Sequence, residues 1–392
     1  MTGTHGTRVG MMMLVVQIGC GPGSVVGRSA DAGLPGVVAR RLSAGAGHTC
    51  ALERDGSVWC WGSNVDGELG DGTGVDRAVP GVVSGLSAVS IASGSYHNCA
   101  LSPDGHVACW GWNSYGQVGD GSDTNRLSVF VLPTPTAAVS VAGGGYHSCA
   151  VSSNGEAVCW GQNSLGQLGD GAEIDSPSPV GVFSLPASRE VSAAGRHTCA
   201  LVHDGVHDGT VQCWGAVPSG GDDAGAGAAD QVFPLPVPGL TDAIALAVGF
   251  RHACALTRGG GVSCWGANDS GQLGDGSAND SATPVTVTQL PPATAITAGY
   301  DHTCATGQDE TLRCWGANTA GQLGDGSTVN RASPVTVGGL NGVVAVAGGS
   351  VHTCAATGDG ALFCWGSNDS GELGDGSTVN HATPARVPGV RL

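Results

Sequence analysis

Lysine is absent from this chain of 392 residues, whose 15 basic residues are all arginine. That absence removes both Schiff-base catalysis and the lysine of a phosphate-binding loop. Charge of either sign is scarce, at 12% of residues, and it leans acidic, with 32 Asp and Glu giving a formal net charge of −17. A surface with that balance repels phosphate backbones, so no nucleic-acid partner is expected. There is no nucleophile elbow, no His-Glu-x-x-His helix and no glycine-rich phosphate loop. The sequence therefore reads as a non-enzyme that calls for no cofactor and no metal. Long helices are disfavoured by 69 Gly and 19 Pro, whereas short strands joined by tight turns suit such a mixture.

What the chain has instead is a repeat. Cys-Trp-Gly occurs seven times, at 60–62, 109–111, 159–161, 213–215, 264–266, 314–316 and 364–366, each copy following a His-x-Cys-Ala start. Those starts are His48, His97, His147, His197, His252, His302 and His352, spaced 49, 50, 50, 55, 50 and 50 residues apart. A period of that length marks units that each bury their apolar faces against a neighbour. The units run at about 37–86, 87–136, 137–186, 187–240, 241–290, 291–340 and 341–392, forming one domain over 34–392.

The N-terminus reads differently. Arg8, the apolar run Met11 to Val16 and then Gln17-Ile18-Gly19-Cys20 look like a secretory signal over residues 1–19 with a lipoprotein-type cleavage box. An ordinary cleaved leader is the alternative. Fifteen cysteines are seven repeat pairs plus one, and the odd thiol is Cys20, which favours lipidation there. Residues 20–33 then serve as a flexible tether. The expected location is the cell envelope or outside the cell, with membrane contact only through the lipid.

Within one unit, Val344 to Ala347, His352 to Ala356 and Ala361 to Gly366 read as strands, with Asp359-Gly360 as a hairpin turn. A turn-rich loop, Ser367 to Gly376, precedes Ala382 to Pro388, whose prolines suit an edge strand. Four strands per unit make a propeller blade, so the fold expected is an all-β, seven-bladed β-propeller. The first unit has no proline-bearing strand before it and the last ends with a spare one. On that count the N- and C-terminal strands are expected to share one blade, removing free sheet edges.

Cys50 and Cys60 flank Asp55-Gly56 symmetrically, so a hairpin places them opposite each other on one face. The same holds for Cys99 and Cys109, Cys149 and Cys159, Cys254 and Cys264, Cys304 and Cys314, and Cys354 and Cys364. Cys199 and Cys213 lie four residues further apart, an even insertion that keeps both side chains on one face. Disulfides are the expected outcome. The rival, a metal held by residues such as His352, Cys354 and Cys364, lacks the close Cys pairs of zinc clusters. Each bridge adds at most ~2.7 kcal/mol for a loop of about eleven residues, less where the turn already restricts it. The tryptophan after each second Cys points to the opposite face, so stacked blades bury indole against a neighbour's disulfide. Seven equivalent histidines are likewise expected to be structural, hydrogen-bonding backbone.

Asn-x-x-Gly-Gln-Leu-Gly-Asp-Gly stands at Asn163–Gly171, Asn268–Gly276 and Asn318–Gly326, with variants at Asn64, Asn113 and Asn368. Together with Cys-Trp-Gly and the His-Thr-Cys-Ala-Leu start, this resembles the regulator of chromosome condensation repeat family over nearly the whole chain. The resemblance implies a seven-bladed propeller with terminal strands closing one blade. The fourth unit departs from it, with no Gly-Gln-Leu-Gly in the loop 216–230. The family's nuclear member is a nucleotide-exchange factor that docks on chromatin, and its exported bacterial members include an enzyme inhibitor. An acidic, disulfide-bonded, exported chain fits a binding or scaffold protein better than an exchange factor.

Where repeats agree, structure is the default explanation, so function is sought where they differ. The pair before each His is such a place, and three of the four tyrosines fall there. Tyr96, Tyr146, Arg196, Phe250, Arg251, Tyr300 and Asp301 are the candidate partner-binding residues, of types enriched at interface hot spots. Plain surface exposure is the alternative. A protein or glycan partner and a monomeric chain are expected.

Overall fold

A computed structural model describes residues 41–133, 137–216 and 230–392 of the chain. The expected signal, Cys20, the tether and Val37 to Arg40 lie outside the described residues, as do residues 217–229 of the degenerate loop. Seven four-stranded antiparallel sheets follow one another in a ring, and no helix occurs among the described residues. This is a seven-bladed β-propeller.

Blade one shows how sequence becomes blade. It comprises β1 (Leu42–Ala44), β2 (His48–Leu52), β3 (Val58–Gly62) and β4 (Arg77–Val82), in that spatial order. The β2–β3 hairpin turns at Asp55-Gly56, where Gly56 has φ +89° and so needs no Cβ. Its register sets His48 against Gly62, Thr49 against Trp61 and Cys50 against Cys60. The two cysteine Cα atoms are 4.2 Å apart, the spacing of a non-hydrogen-bonded pair, and the sulfurs are bonded. All seven pairs are disulfides, and Cys199–Cys213 keeps the same register despite its longer hairpin. Beyond Cys60 the pairing of β3 with β4 shifts, and Pro80 falls in that bulge on the outermost strand. A residue without an N–H costs least there.

Blades stack through the tryptophans. Trp61 packs in one cluster with Cys354 and Cys364 of blade seven, Trp110 with Cys50 and Cys60, and so on round to Trp365 with Cys304 and Cys314. Each indole is at most 1% exposed. Burial on that scale is worth about 5 kcal/mol per indole before the entropy of ordering is subtracted.

Ring closure differs from the sequence expectation that both termini share a blade. Every blade consists of four consecutive strands, and the last strand, His381–Val387, pairs with Leu362–Gly366 of its own blade. The reason lies in the loop after Cys-Trp-Gly, which folds back so that the proline-bearing strand completes the hairpin before it. Seven hairpins and seven such strands therefore match without sharing. Blades seven and one are joined by side chains and loops instead, with Thr49 Oγ1 donating to the Glu372 carbonyl at 2.9 Å and Ser350 N to the Gly45 carbonyl at 3.1 Å.

The repeated histidines join neighbouring blades. At the junction of blades five and six, the Thr303 hydroxyl donates to the Gln272 carbonyl at 3.0 Å. Its lone pairs are then left to accept from His252 Nε2–H at 2.8 Å, which fixes the tautomer. Trp315 Nε1 donates to the same Gln272 carbonyl at 2.9 Å. Equivalent relays join six of the seven junctions, with Asn98 or Ser148 in place of threonine at two of them. The role is structural, as expected, but the partner of Nε2 is a side chain of the next blade rather than backbone. A glycine three residues before the histidine makes room for the ring: a Cβ on Gly94 would fall 2.2 Å from His97 Cε1. Burial lowers the His97, His147, His252 and His352 pKa values to about 3, and those of His48, His197 and His302 to about 4.

The junction of blades four and five is the exception. Ala194 replaces the glycine and Ala253 replaces the hydroxyl residue, and neither His197 Nε2 nor Trp265 Nε1 has a partner among the described residues. Around the inner mouth, Gly145 N donates to Gly195 O and Phe250 N to Tyr300 O, yet no backbone bond joins Gly195 to Phe250.

Candidate partner-binding face

The first strand of each blade lines a central channel of about 140 Å³. Its walls are chiefly Ala, Ser, Gly, Val and Ile, with Phe250 and Tyr300 at one end and no Asp, Glu, His or Arg. Such walls offer no acid–base pair and no cluster of ligands for a metal. Three or more His, Cys, Asp or Glu side chains placed to hold a metal ion do not occur anywhere among the described residues.

Function is better sought on the face where the turn before each histidine meets the loop after each Cys-Trp-Gly. Ser63 N donates to Gly47 O at 2.7 Å and Trp112 N to Tyr96 O at 2.9 Å, which ties each loop to its own turn. Within the loop, Asn64 acts as a hub: Leu69 N donates to its Oδ1 at 2.8 Å, and its Nδ2 donates to the carbonyls of Thr73 and Val75. Asn113, Asn268, Asn318 and Asn368 repeat this arrangement. The repeated asparagine therefore holds the loop, leaving the two residues after it to vary at the surface.

On this frame the candidate residues fall into two groups. Tyr96 and Tyr146, from blades two and three, stack with centroids 6.2 Å apart. Trp112 stands edge-on to them at 5.9 and 5.0 Å, and Tyr115 lies 5.6 Å from Trp112 and 5.7 Å from Tyr146. Tyr96 is 39% exposed and the other three rings are half-buried. Burial raises the Tyr146 phenol above its ordinary range, with Tyr96 adding to the shift and Arg196 opposing it. The second group comes from blades five and six. Phe250 stacks on Tyr300 at 3.7 Å by the channel mouth, and Arg251 pairs with Asp269 at 3.0 Å and with Asp301 at 3.9 Å. Arg196, exposed on blade four, lies between the two groups in ring order.

Trp112 and Tyr115 escape a reading confined to the pair before each histidine. The signal was available three residues further on from Cys109: the position of Trp112 holds Ser, Gln or Ala in the other blades. A further exposed pair, Phe183 and Phe233 at 5.4 Å, lies on the outer rim of blades three and four.

Comparison with known families finds the RCC1-like domain over residues 17–292. It also finds the regulator of chromosome condensation (RCC1) repeat over 312–356 and 359–391, with a second repeat description over 293–322 and 343–372. No curated protein matches the sequence. Among solved structures, the chain is similar to yeast RCC1 (Prp20) bound to Kap60, with TM-score 0.74 and 23% identity over 85% of this chain and 84% of that one. Prp20p of Saccharomyces cerevisiae, described with its binding to Gsp1p and histones, gives 0.73 and 24% over 89% and 88%. The ectodomain of the Arabidopsis thaliana receptor kinase ACR4 gives 0.52 and 20% over 89% and 98%. At these identities the likeness concerns the fold.

Proposed function

The chain belongs to the RCC1-like domain family, and on that premise we propose that it is an exported, lipid-anchored binding or scaffold protein whose loop-bearing face recognises a protein partner. The observation that carries this reading is the concentration of partly exposed aromatic residues where the repeats disagree. Three of the chain's four tyrosines and Trp112 occupy one continuous group on that face. Rigid aromatic side chains beside arginine are the usual anchors of protein interfaces. Relatives of the same fold bind proteins, as the Prp20p and Kap60 descriptions state of those proteins.

Export is supported by seven disulfides, which persist in oxidising compartments and are rare in reducing ones. The same disulfides argue against an exchange factor for a cytosolic or nuclear GTPase. The test is affinity capture from the native envelope with the wild-type chain and with a Tyr96→Ala/Tyr146→Ala/Trp112→Leu variant. A partner recovered by the first and lost by the second is the expected result, with matching near-ultraviolet dichroism to show that the ring is intact. Equal recovery by both would discard this face.

A further inference from the structure

We infer that the aromatic group of blades two and three is a seat for a cationic side chain, so that the protein partner docks through a basic, arginine- or lysine-bearing segment. This rests on the reading that the face binds a protein, and it specifies the chemistry of that partner.

The rings come first. Trp112 meets Tyr96, Tyr146 and Tyr115 at interplanar angles of 82°, 72° and 84°. In an edge-to-face pair, the ring that offers its edge keeps both faces uncovered by its partner. Uncovered tyrosine and tryptophan faces attract cations through the ring quadrupole, by about 0.5–1 kcal/mol where exposed and about 2 kcal/mol where desolvated. Among the described residues the recorded arginine–ring contact, Arg126 over Phe130 at 5.2 Å, lies outside this group.

The charges set the direction of approach. On this face the carboxylates Asp66, Asp269, Asp301 and Asp369 outnumber Arg196 and Arg251, and Arg251 is already paired with Asp269 and Asp301. Asp66 holds in blade one the position that Tyr115 holds in blade two. Tyr115 lies 5.7 Å from Tyr146 of the following blade, and Asp66 occupies the same loop position in the blade that precedes Tyr96. One of its oxygens accepts from Asn125 Nδ2 of blade two at 2.9 Å, which fixes it at this edge. The group is thus bounded by a carboxylate on the Tyr96 side and by Arg196 on the Tyr146 side. A cation therefore seats over Tyr96 and Trp112, next to Asp66 and away from Arg196. The net charge of −17 draws such a partner from a distance and repels an acidic one.

The experiment titrates the purified, oxidised full chain with synthetic peptides of equal length while following tryptophan fluorescence and heat. The probes are an arginine–glycine peptide, the same peptide with citrulline for arginine, an aspartate–glycine peptide and a neutral oligosaccharide. The arginine peptide should bind best, and Trp112→Leu or Tyr96→Ala should weaken it about tenfold. Asp66→Asn should weaken it about threefold, whereas Phe183→Ala on the outer rim should leave it unchanged. Equal binding of the citrulline peptide, preference for the acidic peptide or the sugar, or an arginine affinity indifferent to Trp112 and Tyr96 would each overturn the inference. The last of these would mean that net charge alone attracts the probe. If the arginine peptide fails while envelope capture still depends on Tyr96 and Trp112, the cationic seat falls and the binding face stands. If neither depends on those residues, both fall.

Discussion

At the scale of single residues, the hydroxyl in the tripeptide His-x-Cys decides how well a blade is fastened to the one before it. Thr303 accepts from His252 and donates to the Gln272 carbonyl, so Thr303→Val removes both hydrogen bonds and leaves a buried Nε2–H without an acceptor. A loss of about 1–3 kcal/mol is expected in guanidinium unfolding with the disulfides intact. A midpoint unmoved by the change would show that the relay orders the blades without stabilising them. The disulfides and the buried tryptophans were legible in the sequence, because alternation along a strand assigns Cys60 and Trp61 to opposite faces. The relay was not legible in that way. Its members are about 50 residues apart, and one of them is a backbone carbonyl, which no side-chain pattern announces.

At the scale of elements, the blade four–five junction stands apart. The inner-mouth bonds that protect Gly145, Phe250 and Tyr300 amides have no counterpart at Gly195, which makes no such bond to Phe250. Hydrogen exchange on the native ring should therefore find the Gly195 amide exchanging well ahead of those three, and exchange at equal rates would remove the claim of a weaker seam. Ala194 and Ala253 were visible as departures from the repeat, but their joint effect appears only once their blades face each other across the junction. Strand pairing was misread at the ends of the chain for a related reason. Proline-bearing strands can be counted from sequence. Which hairpin each one joins depends on the path of the loop after Cys-Trp-Gly, and that path is set by the hydrogen bonds of Asn64 and its equivalents.

At the scale of the whole molecule, the seven histidines act together. Each has a pKa lowered by burial from 6.5 to about 3 or 4, so below pH 6.5 the unfolded chain binds protons that the folded ring refuses. Their contribution to stability is complete above pH 6.5 and is lost progressively as pH falls toward the folded values. If all seven protonate on unfolding, the loss approaches about 10 kcal/mol per pH unit. Acid unfolding followed by tryptophan fluorescence should accordingly be steep between roughly pH 6 and pH 4 and accompanied by uptake of several protons. A stability that stays flat over that interval would contradict the buried neutral ring. The candidate face was only partly legible: divergence between repeats pointed to Tyr96 and Tyr146, while the ring that joins them, Trp112, lies in a different part of the repeat.

Because each blade is completed by its own four strands, no sheet in the ring depends on where the chain starts or stops. Unequal exchange between two stretches of coding sequence, one repeat out of step, would delete or add a whole blade and leave every other sheet intact. For such a chain, the unit that can be gained or lost without cutting a sheet is a segment of about fifty residues.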